Sequence, residues 1–126
     1  MIIYLAGPMT GIKDNNFHAF HEVTKFLRDS GFTVFNPAEL PCYDPQAHDR
    51  SFYIRLDIQH LLMADILVYL PRSELSKGAL LEIEIAKQIG IDRKPLHSFL
   101  IRCGNSIDLV DKFFQETGLS FKETEL

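Results

Sequence analysis

The chain has 126 residues, 46% of them hydrophobic and 24% charged. That is an ordinary globular mixture, long enough for a single domain over 1–126 with a core of its own. No apolar run approaches the ~20 residues that span a bilayer, and a formal charge of −4 argues against a surface for polymeric nucleic acid. A small anionic ligand is still compatible with that charge, because a local pocket can oppose the global sign.

The opening Met1-Ile2-Ile3-Tyr4-Leu5-Ala6 lacks a basic leader and enters a strand pattern at once, so no signal peptide is expected. Cys42 and Cys103 lack metal-type spacing and read as free thiols in a reducing cytoplasm. Residues 2–6 predict a first buried strand, and Gly7-Pro8-Met9-Thr10-Gly11 a turn-rich loop. Asn15 or Asn16 stands ready to cap a helix on which Phe17, Phe20, Val23, Thr24 and Leu27 recur at helical spacing, with Gly31 as its stop. Residues 32–36 read as a second strand closed by Pro37. Residues 37–50 show no periodicity and predict a long loop with one helical turn at 38–40. From Ser51, residues Phe52, Leu56, Gln59, His60 and Met63 fall at helical spacing, and this helix delivers an apolar strand at 65–70. Another helix opens after Ser76 and ends at Gly90. Residues 96–101, Leu-His-Ser-Phe-Leu-Ile, read as a fourth strand. Ser106 caps a last helix that Gly118 stops, and Phe121 adds a small terminal strand.

Strands thus alternate with helices, and the strands are continuous apolar runs. The pattern predicts an α/β fold: a parallel sheet of four to five strands flanked by helices, a three-layer sandwich of flavodoxin/Rossmann-like type. Ligands in such folds bind beyond the carboxyl ends of the strands, at the topological switch point. Functional residues are therefore expected in loops 7–16, 36–50 and 71–78.

The loop at Gly7 carries neither Gly-x-x-x-x-Gly-Lys-Ser/Thr nor Gly-x-Gly-x-x-Gly, so ATP hydrolysis and dinucleotide redox chemistry lose their main sequence support. It is either a tight turn or a ligand loop. Tyr4 is either plain core or a phenol reaching a carboxylate on a neighbouring helix. Asp57 interrupts an apolar helix; it lies on a solvated face, or near buried surface, where it needs partners or a raised pKa. Asp65 lies at the amino end of its strand, away from the ligand edge, and reads equally as a cap or turn residue. Glu82 and Glu84 are two apart on a helix and point about 200° apart, so only one faces the crevice. Glu82 serves there or merely favours the positive end of the helix dipole. Gly78 and Ala79 are small enough for close ligand approach, and Ser76 offers a hydroxyl to an anion at the helix start. The 5 histidines are scattered, and no nucleophile elbow or Cys-x-x-Cys is present. No metal or cofactor is expected. The chemistry rests on carboxylates, which suit glycosyl transfer: one attacks an anomeric carbon while an acid helps the leaving group depart.

Three separated blocks resemble the nucleoside 2-deoxyribosyltransferase superfamily. Ile3-Tyr4-Leu5-Ala6-Gly7-Pro8 looks like its opening strand and tyrosine. Asp57, ahead of Ala64-Asp65, looks like its acidic helix and following strand start. Ser76-x-Gly78-Ala79-x-x-Glu82-x-x-x-Ala86 looks like its nucleophile helix. The resemblance implies that Glu82 is the nucleophile that takes the deoxyribosyl group, that Tyr4 positions it, and that Asp57 contacts sugar or base and serves in acid catalysis. It implies substrate contacts from Gly7, Pro8, Met9, Ser76, Gly78 and Ala79. Ser76 matches the position that holds the 5′-phosphate in the related deoxynucleoside 5′-monophosphate N-glycosidases. The likeness extends to short phage and bacterial proteins that share Tyr-Leu-Ala-Gly-Pro-Met-Thr-Gly.

Two positions depart from the transferases: Gly78-Ala79 stands where they often have Gly-Thr, and Glu84 where they have glycine. The expectation is an enzyme that cleaves or transfers the N-glycosidic bond of a deoxynucleoside or its 5′-monophosphate. The alternative is a nucleotide-binding sensor or sequestering protein of the same fold, without turnover. The expected partner is a small nucleoside or nucleotide, with no membrane and no nucleic-acid polymer. Assembly as a homodimer or larger homo-oligomer is expected, with the aromatic-rich segment 43–53 and the phenylalanines of the first helix as contact surface or core.

Overall fold

The first strand, β1 (Ile2–Ala6), is the hub of the sheet. In the computed structural model, which describes residues 1–40, 48–121 and 124–126, it pairs in parallel with β2 (Thr33–Phe35) on one side and β3 (Ile66–Tyr69) on the other. Beyond β3 lies β4 (Asp92–Pro95), also parallel, giving the order β2-β1-β3-β4 among the described residues. Parallel neighbours need crossover connections. These are α1 (Phe17–Asp29), α2 (Arg50–Leu61) and α3 (Lys77–Gln88), with α4 (Leu96–Arg102) and α5 (Ile107–Thr117) after the last strand. The predicted α/β architecture with a parallel sheet is the one observed.

Side chains alternate across a strand, and β1 uses both directions for burial. Ile3 and Leu5, with Ile66 and Val68 of β3, join an apolar cluster with Phe20, Val23 and Leu27 of α1, Phe99 and Leu100 of α4, and Val110 and Phe114 of α5. Tyr4 and Ala6, with Leu67 and Tyr69, meet Leu61 of α2 and Ile83 and Ala86 of α3 on the opposite face. The chain leaves β1 toward β2, returns across the sheet through α2, and continues to β4. The switch point therefore lies between the carboxyl ends of β1 and β3.

Gly7 is required at that point by contact. A Cβ there would stand 2.9 Å from Leu70 Cδ1 and 3.0 Å from Leu70 Cβ. Asn36 ends β2 in a similar structural role: buried, it accepts from Ala38 N–H and so shapes the helical turn Pro37–Glu39.

Residues 96–101 are the main correction. They form helix α4, and the fourth strand is the preceding Asp92–Pro95. A short apolar run does not distinguish buried strand from buried helix. Here Leu96, Phe99 and Leu100 bury at i, i+3 and i+4, which is helical spacing, and Pro95 closes the strand. The true strand is polar because it is an edge strand, where charged residues are tolerated and protective. Phe121 lies outside any strand among the described residues. Asn16 occupies the cap position of α1 but makes no capping bond; its Nδ2 donates to the Pro8 carbonyl instead. Asp65 Oδ2 accepts from the Ile2 N–H at 2.7 Å, tying β3 to β1 at the edge away from the switch point. Ser106 does cap α5, and Gly118 ends it in a left-handed conformation. Cys103 is a free, exposed thiol; Cys42 and Tyr43 lie outside the described residues. Among the described residues no helix is long and apolar enough to cross a membrane.

Candidate functional site

A cavity of about 570 Å³ opens at the switch point, within the ~300–1,000 Å³ range of small-molecule sites. Its floor comes from the loop after β1 (Gly7, Met9, Thr10). One wall is the start of α3 (Ser76, Lys77, Gly78, Ala79, Glu82) with Leu75 before it. The other is the first half of α2 (Arg50, Tyr53, Ile54, Asp57), with His48 and Pro37 at the rim.

Helix α3 explains how a carboxylate comes to be inside. Its buried residues, Ala79, Glu82, Ile83 and Ala86, fall at i, i+3, i+4 and i+7, the apolar stripe of an amphipathic helix. Glu82 occupies a core position in that stripe and is only 7% exposed. Burial pushes its carboxyl up to about 8, because the charged form loses its hydration. The hydroxyl of Tyr4, from the adjacent strand, donates a hydrogen bond to Glu82 Oε2. Tyr4 is itself fully buried and stacks on Phe35, whose ring stacks in turn on His60. The phenol is thus locked toward the glutamate. Glu84 points to solvent and accepts from Gln88 Nε2, one turn on. The charged side chain at this position therefore does not enter the cavity.

Asp57 lies on the face of α2 that carries Tyr53 and Leu61, at i−4 and i+4, both buried. Burial pushes its carboxyl up to about 7. Its Oδ1 is buried without a hydrogen-bond partner among the described residues, which marks a polar atom awaiting one. The solvated-face reading of Asp57 does not hold.

Ser76 is the N-cap of α3: its Oγ accepts from the Ala79 N–H at 3.2 Å. A Cβ on Gly78 would meet nothing closer than Ser76 Oγ at 4.0 Å. The absent side chain therefore leaves open room against the helix start. Of the residues singled out in the sequence, Gly7, Met9, Asp57, Ser76, Gly78, Ala79 and Glu82 line the cavity, and Tyr4 stands directly behind Glu82. Pro8 is buried and does not line it. As site residues Arg50, Lys77, His48 and Tyr53 were missed in the sequence, where the segment 43–53 reads only as contact surface or core. The signal for two of them was local: Arg50 and Lys77 each follow a helix cap, Asp49 and Ser76. Among the described residues no group of three His, Cys, Asp or Glu side chains is arranged for a metal.

A family model described as a domain of unknown function, DUF4406, matches residues 1–93. Among solved structures, a 2-deoxyribosyltransferase from the psychrotolerant bacterium Bacillus psychrosaccharolyticus is similar at 26% identity and a TM-score of 0.61, over 75% of this chain and 71% of that one. A conserved protein from Enterococcus faecalis is similar at 26% identity and a TM-score of 0.55, over 75% of this chain. The chain spans 62% of that protein's length. No curated protein matches the chain significantly.

Proposed function

The chain belongs to the DUF4406 family, and from that premise we propose that it is an enzyme acting on the N-glycosidic bond of a deoxynucleoside or its 5′-monophosphate. One observation carries the reading: a buried glutamate, held by a tyrosine hydroxyl, faces a nucleoside-sized cavity with a second carboxyl across from it. The likeness to a 2-deoxyribosyltransferase supports it.

In this mechanism the ionised Glu82 oxygen bonds to C1′ of the sugar as the C1′–N bond breaks. The bonding pair leaves with the base, which takes a proton from Asp57. Water or a second base then attacks C1′, gives its proton to the Asp57 carboxylate, and frees Glu82. Tyr4 holds the carboxylate in line for attack. The pH requirement is unusual: Glu82 must be ionised although burial holds it near 8, and Asp57 must be protonated although its value is near 7. The competent form is therefore a minority species, and the rate should peak between those two values.

The test is incubation with a panel of deoxynucleosides and 5′-monophosphates, with chromatographic detection of free base. Glu82→Gln is expected to slow release by at least ~10³-fold, and undiminished release by that variant would sink the nucleophile role. A second reading, nucleotide binding without turnover, draws on the burial that pushes the Glu82 carboxyl up to about 8 and so toward its neutral form. Saturable binding with no base released from any panel member would establish it. Whether water or a base is the acceptor follows from adding a second free base to the same assay. We further propose a cytoplasmic homodimer or larger homo-oligomer, which light scattering tests directly.

A further inference from the structure

Three aromatic rings stand in a row behind Glu82. Tyr4 of β1 stacks on Phe35 of β2 at 5.3 Å between centroids and 23° between planes. Phe35 stacks in turn on His60 of α2 at 3.9 Å and 10°. The row ends at the carboxyl, because the Tyr4 hydroxyl donates to Glu82 Oε2. It begins nearer the surface: Tyr4 is fully buried, whereas Phe35 and His60 are half-buried. Neither Phe35 nor His60 lines the cavity.

The sheet accounts for the first two rings. Tyr4 and Phe35 are register partners on parallel strands, so their side chains leave the same face side by side. On its other side Tyr4 is partnered by Leu67, fully buried. Phe35 has no such neighbour, since β2 is the last strand on that side among the described residues. A ring has two faces, and two near-parallel partners at these distances occupy one each. His60 thus backs Phe35 where the sheet does not, at a spacing below the roughly 4.5–7 Å usual for aromatic pairs. A phenol oxygen sits at the far end of its ring, so tipping the ring along its normal carries the oxygen off the carboxylate. Leu67 opposes the tip in one direction and the Phe35–His60 pair in the other. Misalignment weakens a hydrogen bond steeply.

We propose that Phe35 and His60 are positioning residues, which act through Tyr4 to keep its hydroxyl on Glu82 and so set the reactivity of that carboxylate from outside the cavity. The consequence for catalysis rests on the N-glycosidic reading above; the row itself rests on ring geometry.

Phe35→Leu and His60→Ala each open the row, and His60→Phe restores a flat ring. The first measurement on the full chain needs no turnover. Urea unfolding of the wild type and Phe35→Leu, which removes no titratable group, is compared at pH 4 and pH 9, below and above the folded value of Glu82. The midpoint is expected to fall further at pH 9, because the weakened bond is one that favours the ionised form. That excess should vanish when Glu82→Gln is also present. The second measurement is base release from the panel of deoxynucleosides and 5′-monophosphates. Phe35→Leu and His60→Ala are each expected to lower kcat about tenfold while changing KM less than about twofold. In a Tyr4→Phe background each should cost less than about twofold more, and His60→Phe should stay within about twofold of the wild type. An equal midpoint loss at both pH values overturns the proposal and leaves the N-glycosidic reading intact. So do kcat losses that multiply with that of Tyr4→Phe, which would move the effect to α2 and its Asp57, and so does a His60→Phe variant as slow as His60→Ala. An alkaline excess abolished by Glu82→Gln, with no base released from any panel member, would keep the row and overturn the N-glycosidic reading.

Discussion

The two faces of the sheet are built on opposite terms. The face covered by α1, α4 and α5 is closed and apolar, with Ile3, Leu5, Phe20, Val68, Leu100 and Phe114 in one continuous cluster. The face covered by α2 and α3 has a smaller cluster, and beside it a cavity lined by the buried carboxyl of Glu82, the half-buried Asp57 and the exposed Arg50 and Lys77. Burying a fully apolar side chain stabilises by about 1.5–3 kcal/mol, whereas burying a carboxyl is unfavourable unless it is paired or protonated. The closed face supplies the stability, and the open face uses some of it to hold polar groups where a ligand can meet them.

The largest effect that tests this division belongs to the closed face. Phe114→Ala removes a ring at the centre of the cluster, 1% exposed and in contact with Phe113, His97 and Phe121. Urea titration should show a loss of about 3–5 kcal/mol; a loss below about 1 kcal/mol would mean that this face is not the main support.

On the open face the sign reverses at alkaline pH. The folded values of Glu82 and Asp57, about 8 and about 7, lie above the ordinary 4.5 and 3.8. The folded chain therefore holds protons that the unfolded chain has released. That contribution is complete below about pH 4 and is lost as pH rises through 7 and 8. Glu82→Gln removes the larger part of the dependence. Melting curves at pH 9 should find the variant more stable than the wild type by about 2–4 kcal/mol, with the difference gone near pH 4. Parallel wild-type and variant curves across that range would show that Glu82 is not buried as a neutral acid.

Tyr4→Phe sharpens the comparison within the open face, because the ring keeps its stacking on Phe35 and loses only the donor to Glu82. If Glu82 is the nucleophile, kcat should fall about 10–100-fold. The alkaline limb of the pH–rate profile, which the higher of the two values sets and so reports Glu82, should move to higher pH, since the carboxylate loses a hydrogen bond that favours its charged form. A lowered rate with an unmoved profile would reduce Tyr4 to a packing residue. The smallest effect is reserved for the solvent side of the same helix. Glu84→Ala removes one exposed side chain bonded to Gln88, and should change stability by no more than ~0.5 kcal/mol and leave base release unchanged.

Much of this organisation was already legible in the sequence, for reasons of period. Continuous apolar strands alternating with helices require a parallel sheet covered on both sides, and a parallel sheet directs ligands to its carboxyl edge. The two-residue spacing of Glu82 and Glu84 on one helix requires that only one of them faces inward; the Ser76-to-Glu82 spacing of the resemblance points to Glu82, and the fold buries it with Ala79, Ile83 and Ala86. Tertiary structure decided the rest, because the remaining choices depend on neighbours distant in sequence. Residues 96–101 could satisfy either period, and packing against α5 and the inner strands made them a helix. Asp57 reads as solvated or buried until the fold brings α2 against α3. Arg50 and Lys77 are unremarkable helix starts in the sequence; only the crossover that brings α2 and α3 to the same edge of the sheet sets them on opposite walls of one cavity. The raised values of Glu82 and Asp57 have the same origin. Desolvation belongs to the space around a group, and that space exists only after the chain has folded.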